Sequence, residues 1–237
     1  MAFAALGRAL GFICRSALDI LAPRACGACP HIGVEGVYCP GCRTDTAPSA
    51  QRAAPTLVQG LPVFAAGAFA PPLSLAIKHF KYAGRSDLAE PLAELWWQRW
   101  QPAIAPRTQQ TVGDVVLIPV PLHPQRLVER GYNQSALLAA CLARLARARV
   151  AHGVIERVHA TGQQARLRAN ERAHNLHGAF RASALGRVPP GTRLVLVDDV
   201  VTTGATLAAC QVACRAANLN LSAVWALAHT ARTTRDA

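Results

Sequence analysis

An α/β fold built on a parallel sheet is predicted by three features of this 237-residue sequence. Short β-branched and aliphatic runs at 114–120, 194–197 and 221–228 suit strands buried on both faces of a sheet. Alanine- and leucine-rich helical segments at 135–149 and from 206 to about 217 lie between them, the alternation of a sheet flanked by helices. Two acids, Asp198 and Asp199, stand where the central run stops, at the carboxyl ends of the strands where open α/β sheets bind ligands.

Composition bounds the function. Hydrophobic residues make up 51% of the chain, enough for a sizeable core in one ordinary domain plus a small appendage. Net charge is +12 with histidine counted neutral, and since Lys78 and Lys81 are the only lysines, arginine supplies nearly all the positive charge. The planar guanidinium suits phosphates, so the charge points to anionic substrates or nucleic acid, although coding bias toward arginine and alanine produces the same balance. Aromatic residues, at 5%, are too sparse for a base-stacking platform as the main device. No uninterrupted apolar stretch reaches the length of a membrane span, and stable membrane insertion is not expected.

Taken in order, residues 1–22 read as an amphipathic helix, with Phe3, Leu6, Leu10, Ile13, Ala17 and Leu21 recurring at three and four. It packs on the body or on a partner, with attachment to a membrane surface as the alternative. Arg8 and Arg15 split the stretch and no small-residue cleavage site follows, so it does not read as a signal peptide. A reducing, cytoplasmic setting is therefore expected, with the eight cysteines as thiols or ligands. Within 23–45, Cys26-Gly-Ala-Cys29 and Cys39-Pro-Gly-Cys42 form two CxxC knuckles, four thiolates for one tetrahedral zinc ion. A closed Cys₄ site leaves no position for substrate and is structural; a redox pair is the alternative, disfavoured because no thioredoxin-like βαβ pattern surrounds it. His31, between the knuckles, is either a competing ligand or a solvent-facing side chain. Cys14, Cys141, Cys210 and Cys214 sit in apolar helical patterns and read as buried thiols.

Residues 43–60 read as a linker. A strand at 61–69 leads to Pro71-Pro72, which opens a helix through 75–80. The stretch 77–85 (IKHFKYAGR) gathers the cations that a pyrophosphate or a nucleic-acid backbone needs, or is simply a polar helix end. Ser86 or Asp87 is expected to cap the next helix, whose Trp96, Trp97 and Trp100 pack first and offer a partner surface second. After the strand at 114–120, Leu122 and His123 occupy a strand-terminal loop, and Arg126 and Arg130, four apart, either hold one polyanion or form a solvated stripe. A further strand is expected at 154–158, a mobile polar lid at 161–175 and a turn at 187–191. Finally, Thr202-Thr203-Gly204-Ala205-Thr206 reads as a turn opening a helix, whose free N–H groups, hydroxyls and glycine make a phosphate cradle. A ribose 5-phosphate satisfies both halves of this stretch, its hydroxyls donating to the acids; acids that merely cap the helix are the structural alternative.

Two acids, two hydrophobics and Thr-Thr-Gly-Ala-Thr resemble the phosphoribosyl pyrophosphate (PRPP) loop of the type I phosphoribosyltransferases. With the cysteine knuckles, IKHFKYAGR, PVPLHPQRLVERGYNQ and TGQQARLRANERAHNLHGAF, about residues 10–229 are similar to the competence protein F (ComF) family. The resemblance implies a type I phosphoribosyltransferase fold over 61–230, a twisted parallel sheet flanked by helices, with a small N-terminal Cys₄ zinc-binding module. It implies a PRPP-binding transferase of undefined acceptor, linked to DNA uptake in natural transformation or to nucleotide metabolism. A non-catalytic, PRPP-regulated protein that binds single-stranded DNA is the alternative. An assembly factor whose ribbon and tryptophan helix bind competence or DNA-processing proteins is a third. In the transferase reading, the sugar C1 loses pyrophosphate through an oxocarbenium-like state. Asp198 and Asp199 then accept from the ribose hydroxyls, directly or through Mg²⁺, and Val200, Val201, Thr202, Thr203, Gly204, Ala205 and Thr206 hold the 5-phosphate. Leu122, His123, Arg126 and Arg130 are candidates for the pyrophosphate. Arg166, Arg168 and Arg172 lie in a segment related to the flexible catalytic loop of the glutamine amidophosphoribosyltransferases. Many relatives carry a second cysteine cluster that 43–60 lacks, so one ion is expected, and the absence of a cysteine after Met1 argues against a glutamine-hydrolysing amidotransferase.

Overall fold

The computed structural model describes residues 24–34, 36–43, 54–108, 115–158, 178–183, 188 and 191–230. The expected helix at 1–22 and the expected lid at 161–175, with Arg166, Arg168 and Arg172, lie outside the described residues. At the centre is β7 (Arg193–Val201), with β8 (Leu221–His229) on one side and β3 (Val115–Pro119) on the other, all three parallel. The sheet continues through β2 (Leu61–Ala68), parallel to β8, and ends in β4 (Arg149–Val150), parallel to β3. A short strand β1 (Thr56–Val58) forms an antiparallel hairpin with β2 and completes the order β1-β2-β8-β7-β3-β4. This is the mostly parallel α/β sheet that the aliphatic runs predict.

Four expectations need correction. The linker ends earlier than 60, because β1 joins the sheet through a two-residue turn in which Gln59 and Gly60 both have positive φ (52° and 77°), the geometry that matches strand twist. The central strand does not stop at 197: its ladder with β8 continues through Asp198↔Ala226 and Val200↔Ala228 to Val201↔His229, so both acids lie within the strand. The helix expected at 135–149 ends sooner, at Ala146, where Arg147 turns left-handed (φ 52°) and frees Arg149 to enter β4. The strand at 154–158 exists as β5 (Ile155–Arg157), but it pairs antiparallel with β6 (Phe180–Ala182) in a separate two-stranded sheet.

A one-turn helix, α1 (Pro40–Arg43), carries Cys42 of the second knuckle, and longer helices cover both faces of the sheet. On one, α2 (Leu73–Tyr82), α3 (Ala89–Thr108) and α5 (Gln134–Ala146) bury Ile77, Phe80, Leu92, Trp96, Leu138 and Leu142 against Val195, Val197 and Trp225. On the other, α6 (Ala205–Ala216) buries Leu207, Cys210 and Cys214 against Leu194, Leu196, Val224 and the β5–β6 hairpin. Cys210 and Cys214 are thus the buried thiols expected, and Cys141 is half-buried. The tryptophans pack, as expected: the Trp96 and Trp100 indole N–H groups donate to the β2 carbonyls of Phe64 (2.7 Å) and Ala65 (2.9 Å), which ties α3 to the sheet edge. Neither Ser86 nor Asp87 caps α3 by its side chain; a 3₁₀ turn (Ser86–Leu88) precedes the helix, and the Asp87 carboxylate is held by Arg85 instead. No described helix is long and apolar enough to cross a membrane.

Candidate functional site

At the carboxyl end of β7, Asp198 and residues 200–206 line one small pocket of about 100 Å³, closed below by Leu196, Leu207 and Val224. Gly204 makes the turn. Its φ of +78° is costly for any residue with a Cβ, and a Cβ there would lie 2.6 Å from Val58 Cγ1 and 3.1 Å from Gln59, so the β1–β2 hairpin presses directly on the loop. Helix α6 starts at this glycine without a side-chain cap. Among the described residues, the amides of the turn are engaged only at Ala205, by Thr203 Oγ1 at 3.4 Å, which leaves donors at the positive end of the helix dipole facing the pocket.

The two acids are sorted by strand alternation, which sends neighbouring side chains in opposite directions. Asp198 lines the pocket. Asp199 is buried and paired with Lys81 from the last turn of α2, Nζ to Oδ1 at 2.6 Å. Asp198 Oδ1 accepts from Ser135 Oγ (3.2 Å) and from the Asp199 N–H (2.9 Å). Burial, reinforced by the negative charge of Asp199, pushes the Asp198 carboxyl up to about 7, against the opposing pull of Lys81 and of the two hydrogen bonds. Asp198 therefore changes charge near neutrality, while Lys81 supplies the local positive charge.

A second cluster lies at the knuckles. The ligand atoms of Cys26, Cys29, Cys39 and Cys42 all fall within 4.8 Å of one another, with Cys29 and Cys39 Sγ 3.7 Å apart. Cys26 Sγ accepts from the Ala28 and Cys39 N–H groups, both at 3.4 Å. Burial raises the Cys26 thiol, but these and neighbouring hydrogen bonds outweigh it and bring the group down to about 7. Burial and the adjacent thiols push Cys42 up to about 12, because a second thiolate in so small a space is opposed until a cation compensates it. Four convergent thiols of this kind fit one tetrahedral zinc ion. His31 is exposed and outside the cluster; its carbonyl accepts from the Cys26 N–H at 2.6 Å.

No family model matches the chain. Over 218 residues it is 32% identical to competence protein F of Haemophilus influenzae, a match covering 91% of this chain and 94% of that protein. The chain belongs to the competence protein F family. It is also 38% identical over 140 residues to the DNA utilization protein YhgH of Escherichia coli, covering 59% of this chain and 60% of that protein. Competence protein ComFC of Bacillus subtilis is 36% identical over 92 residues, 39% of this chain and 35% of that protein.

In this family member the loop after β3 does not line the pocket beside Asp198. His123 caps α4 (Pro124–Arg130), its Nδ1 accepting from the Gln125 N–H at 3.3 Å, and Leu122 is half-buried. Arg126 faces Glu129 at 3.7 Å, and the Arg130 guanidinium lies 4.8 Å from the centre of the Tyr82 ring. The side chains that do reach the acids, Ser135 and Lys81, come from α5 and α2. Asn133 sets Ser135 in place: its Oδ1 accepts from the Ser135 and Ala136 N–H groups (3.0 and 3.4 Å), and its Nδ2 donates to Val120 O (3.1 Å) at the end of β3. The signal for Asn133 was present in the sequence as an N-cap residue between a glycine turn and an apolar helix.

Proposed function

We propose that this competence protein F relative binds PRPP in the pocket beside β7 and acts as a phosphoribosyltransferase. The observation that carries the reading is the shared pocket of Asp198 and the uncapped turn 202–206. The turn amides and the hydroxyls of Thr202, Thr203 and Thr206 suit a 5-phosphate, and the Asp198 carboxylate suits a ribose hydroxyl. Lys81 would balance the charge of a departing pyrophosphate while it orients Asp199. With Asp199 engaged, one carboxylate remains for Mg²⁺, which suits an ion that takes most of its oxygens from phosphates and water. Asp198 would hold that ion together with the substrate. Zinc, held by Cys26, Cys29, Cys39 and Cys42, would supply folding energy, and the reading places the protein in a reducing cytoplasm where thiols persist.

Calorimetry of PRPP with Mg²⁺ tests the site. Asp198→Asn is expected to weaken binding at least tenfold, and an unchanged affinity overturns the reading. Pyrophosphate release from labelled PRPP in the presence of candidate acceptors then separates a transferase from a PRPP-binding protein.

A second reading, a DNA-binding protein of DNA uptake or utilization, is favoured by the net charge of +12 and by an exposed rim beside the site. There Tyr82 is 69% exposed with Arg130 over its ring, and Lys78 is exposed on the same helix. The names of the relatives, competence protein and DNA utilization protein, support a role in that process. Binding of single-stranded DNA through this rim would weaken linearly in log affinity with log salt, and loss of Arg130 would reduce the slope by about one contact.

A further inference from the structure

We infer that the zinc module positions Lys81 for the acidic pair, so that the metal site and the anion site are energetically coupled through α2, with His79 as the positioning residue. The inference rests on the PRPP reading of the pocket. Its basis is a bracket of two anchors around Lys81. On the near side, His79 Nδ1–H donates to the carbonyl of Gly27 at 2.7 Å. On the far side, Arg85 Nη2 donates to Ala25 O at 2.9 Å while its other bonds hold Asp87. Ala25 and Gly27 flank the ligand Cys26, so both acceptors belong to the first knuckle. Between the anchors, Lys81 reaches 2.6 Å from Asp199 Oδ1.

No slack separates the module from the helix. A Cβ at Gly27 would sit 3.0 Å from Ala76 Cβ on α2 and 3.1 Å from Val37, and Gly27 N–H donates to Val37 O at 2.7 Å. Cys26, Val37, Tyr38 and Cys39 are buried in the same core as Ala76, Ile77 and Phe80. Without a cation, nothing ties the four converging cysteines to a common centre and the knuckle backbone relaxes, taking the carbonyls of Ala25 and Gly27 with it. The last turn of α2 then loses both anchors. Lys81 no longer holds Asp199, and two adjacent carboxylates without a lysine repel a pyrophosphate. Linkage makes the effect reciprocal: whatever factor zinc contributes to anion affinity, the anion returns to zinc affinity. A zinc ion that only stabilises the fold would leave the affinity of the folded molecules unchanged.

The full chain, loaded with zinc, tests this in two ways. PRPP–Mg²⁺ affinity is measured by calorimetry on the zinc-loaded and the folded metal-free protein, well below melting. Zinc release to a chromogenic chelator that ignores Mg²⁺ is timed with and without saturating PRPP. The expected result is an affinity at least about fivefold lower without zinc and a zinc release slowed by a similar factor when PRPP is bound. His79→Ala should weaken PRPP to the same degree while retaining zinc, and His79→Asn, which places an amide N–H near the position of Nδ1, should restore it. Lys81→Met should keep its zinc and lose most of the slowing. Should His79→Ala fail to fold, the wild-type chain and Lys81→Met decide between them. PRPP binding that is equal with and without zinc, with release rates to match, overturns the coupling and leaves the pocket reading standing. A wild-type chain that does not bind PRPP overturns both.

Discussion

Asp198 and Gly204 shape the pocket at the level of single residues, and each has a measurable signature. The Asp198 carboxyl rises from an ordinary 3.8 to about 7 in the folded chain, so its protonated form is the one that folding favours. Its contribution to stability is therefore complete below the unfolded value and is lost as pH rises through about 7. Melting temperature is expected to fall between about pH 4 and about pH 7, with that part of the slope missing in Asp198→Asn. In the proposed reading PRPP–Mg²⁺ binding uses the carboxylate, so affinity is expected to move the other way and tighten as pH passes neutrality; a pH-independent affinity would contradict the role proposed for Asp198. Gly204→Ala brings a left-handed residue penalty of about 1–2 kcal/mol and a collision with Val58 Cγ1. Combining it with Val58→Ala should recover the part due to the collision, read from denaturant midpoints, while the backbone strain remains.

At the scale of elements, the site is assembled by helix starts. Asn133 caps α5 with its oxygen and steadies the end of β3 with its nitrogen, and Ser135 is thereby aimed at Asp198. Asn133→Ala should cost about 1 kcal/mol, a shift of about 2–4 °C in a chain of this size. Asn133→Asp keeps the cap but loses the donor to Val120, so near-native stability with a changed pocket would separate the two jobs. In contrast, α6 starts with no side-chain cap beside the pocket. The Asn133 cap follows from short-range spacing that the sequence displays, whereas the cap expected of Ser86 or Asp87 does not form and the true length of β7 was not legible. The acids disfavour a strand by composition, yet the ladder with β8 carries them, because backbone pairing does not depend on side-chain type.

Over the whole molecule, the knuckles and the body share one core. Val37 and Tyr38 are buried with Phe80 and Trp96, so a zinc ion held by the knuckles would brace more than its own loop. Chelation is expected to lower the melting of the chain as one transition; a separate early transition confined to the knuckles would show that the two parts fold independently. The net charge of +12, mostly from arginine, belongs to the same scale: if the DNA-binding reading holds, polyanion affinity is expected to fall with salt, and a salt-independent affinity would contradict it.

The sequence by itself determined the mostly parallel sheet, the four cysteines that converge as one metal-ligand set and the glycine turn that opens a helix at 202–206. Each depends on spacing within a few residues, which the chain displays directly. Only the tertiary structure decided that Asp199 meets Lys81, that Ser135 bonds to Asp198 while His123 and Arg126 do not line the pocket, and that β5 leaves the main sheet to pair with β6. It also decided that the knuckles lean on α2. These contacts join segments far apart in the chain, and no local period records which distant surface will bury a given face.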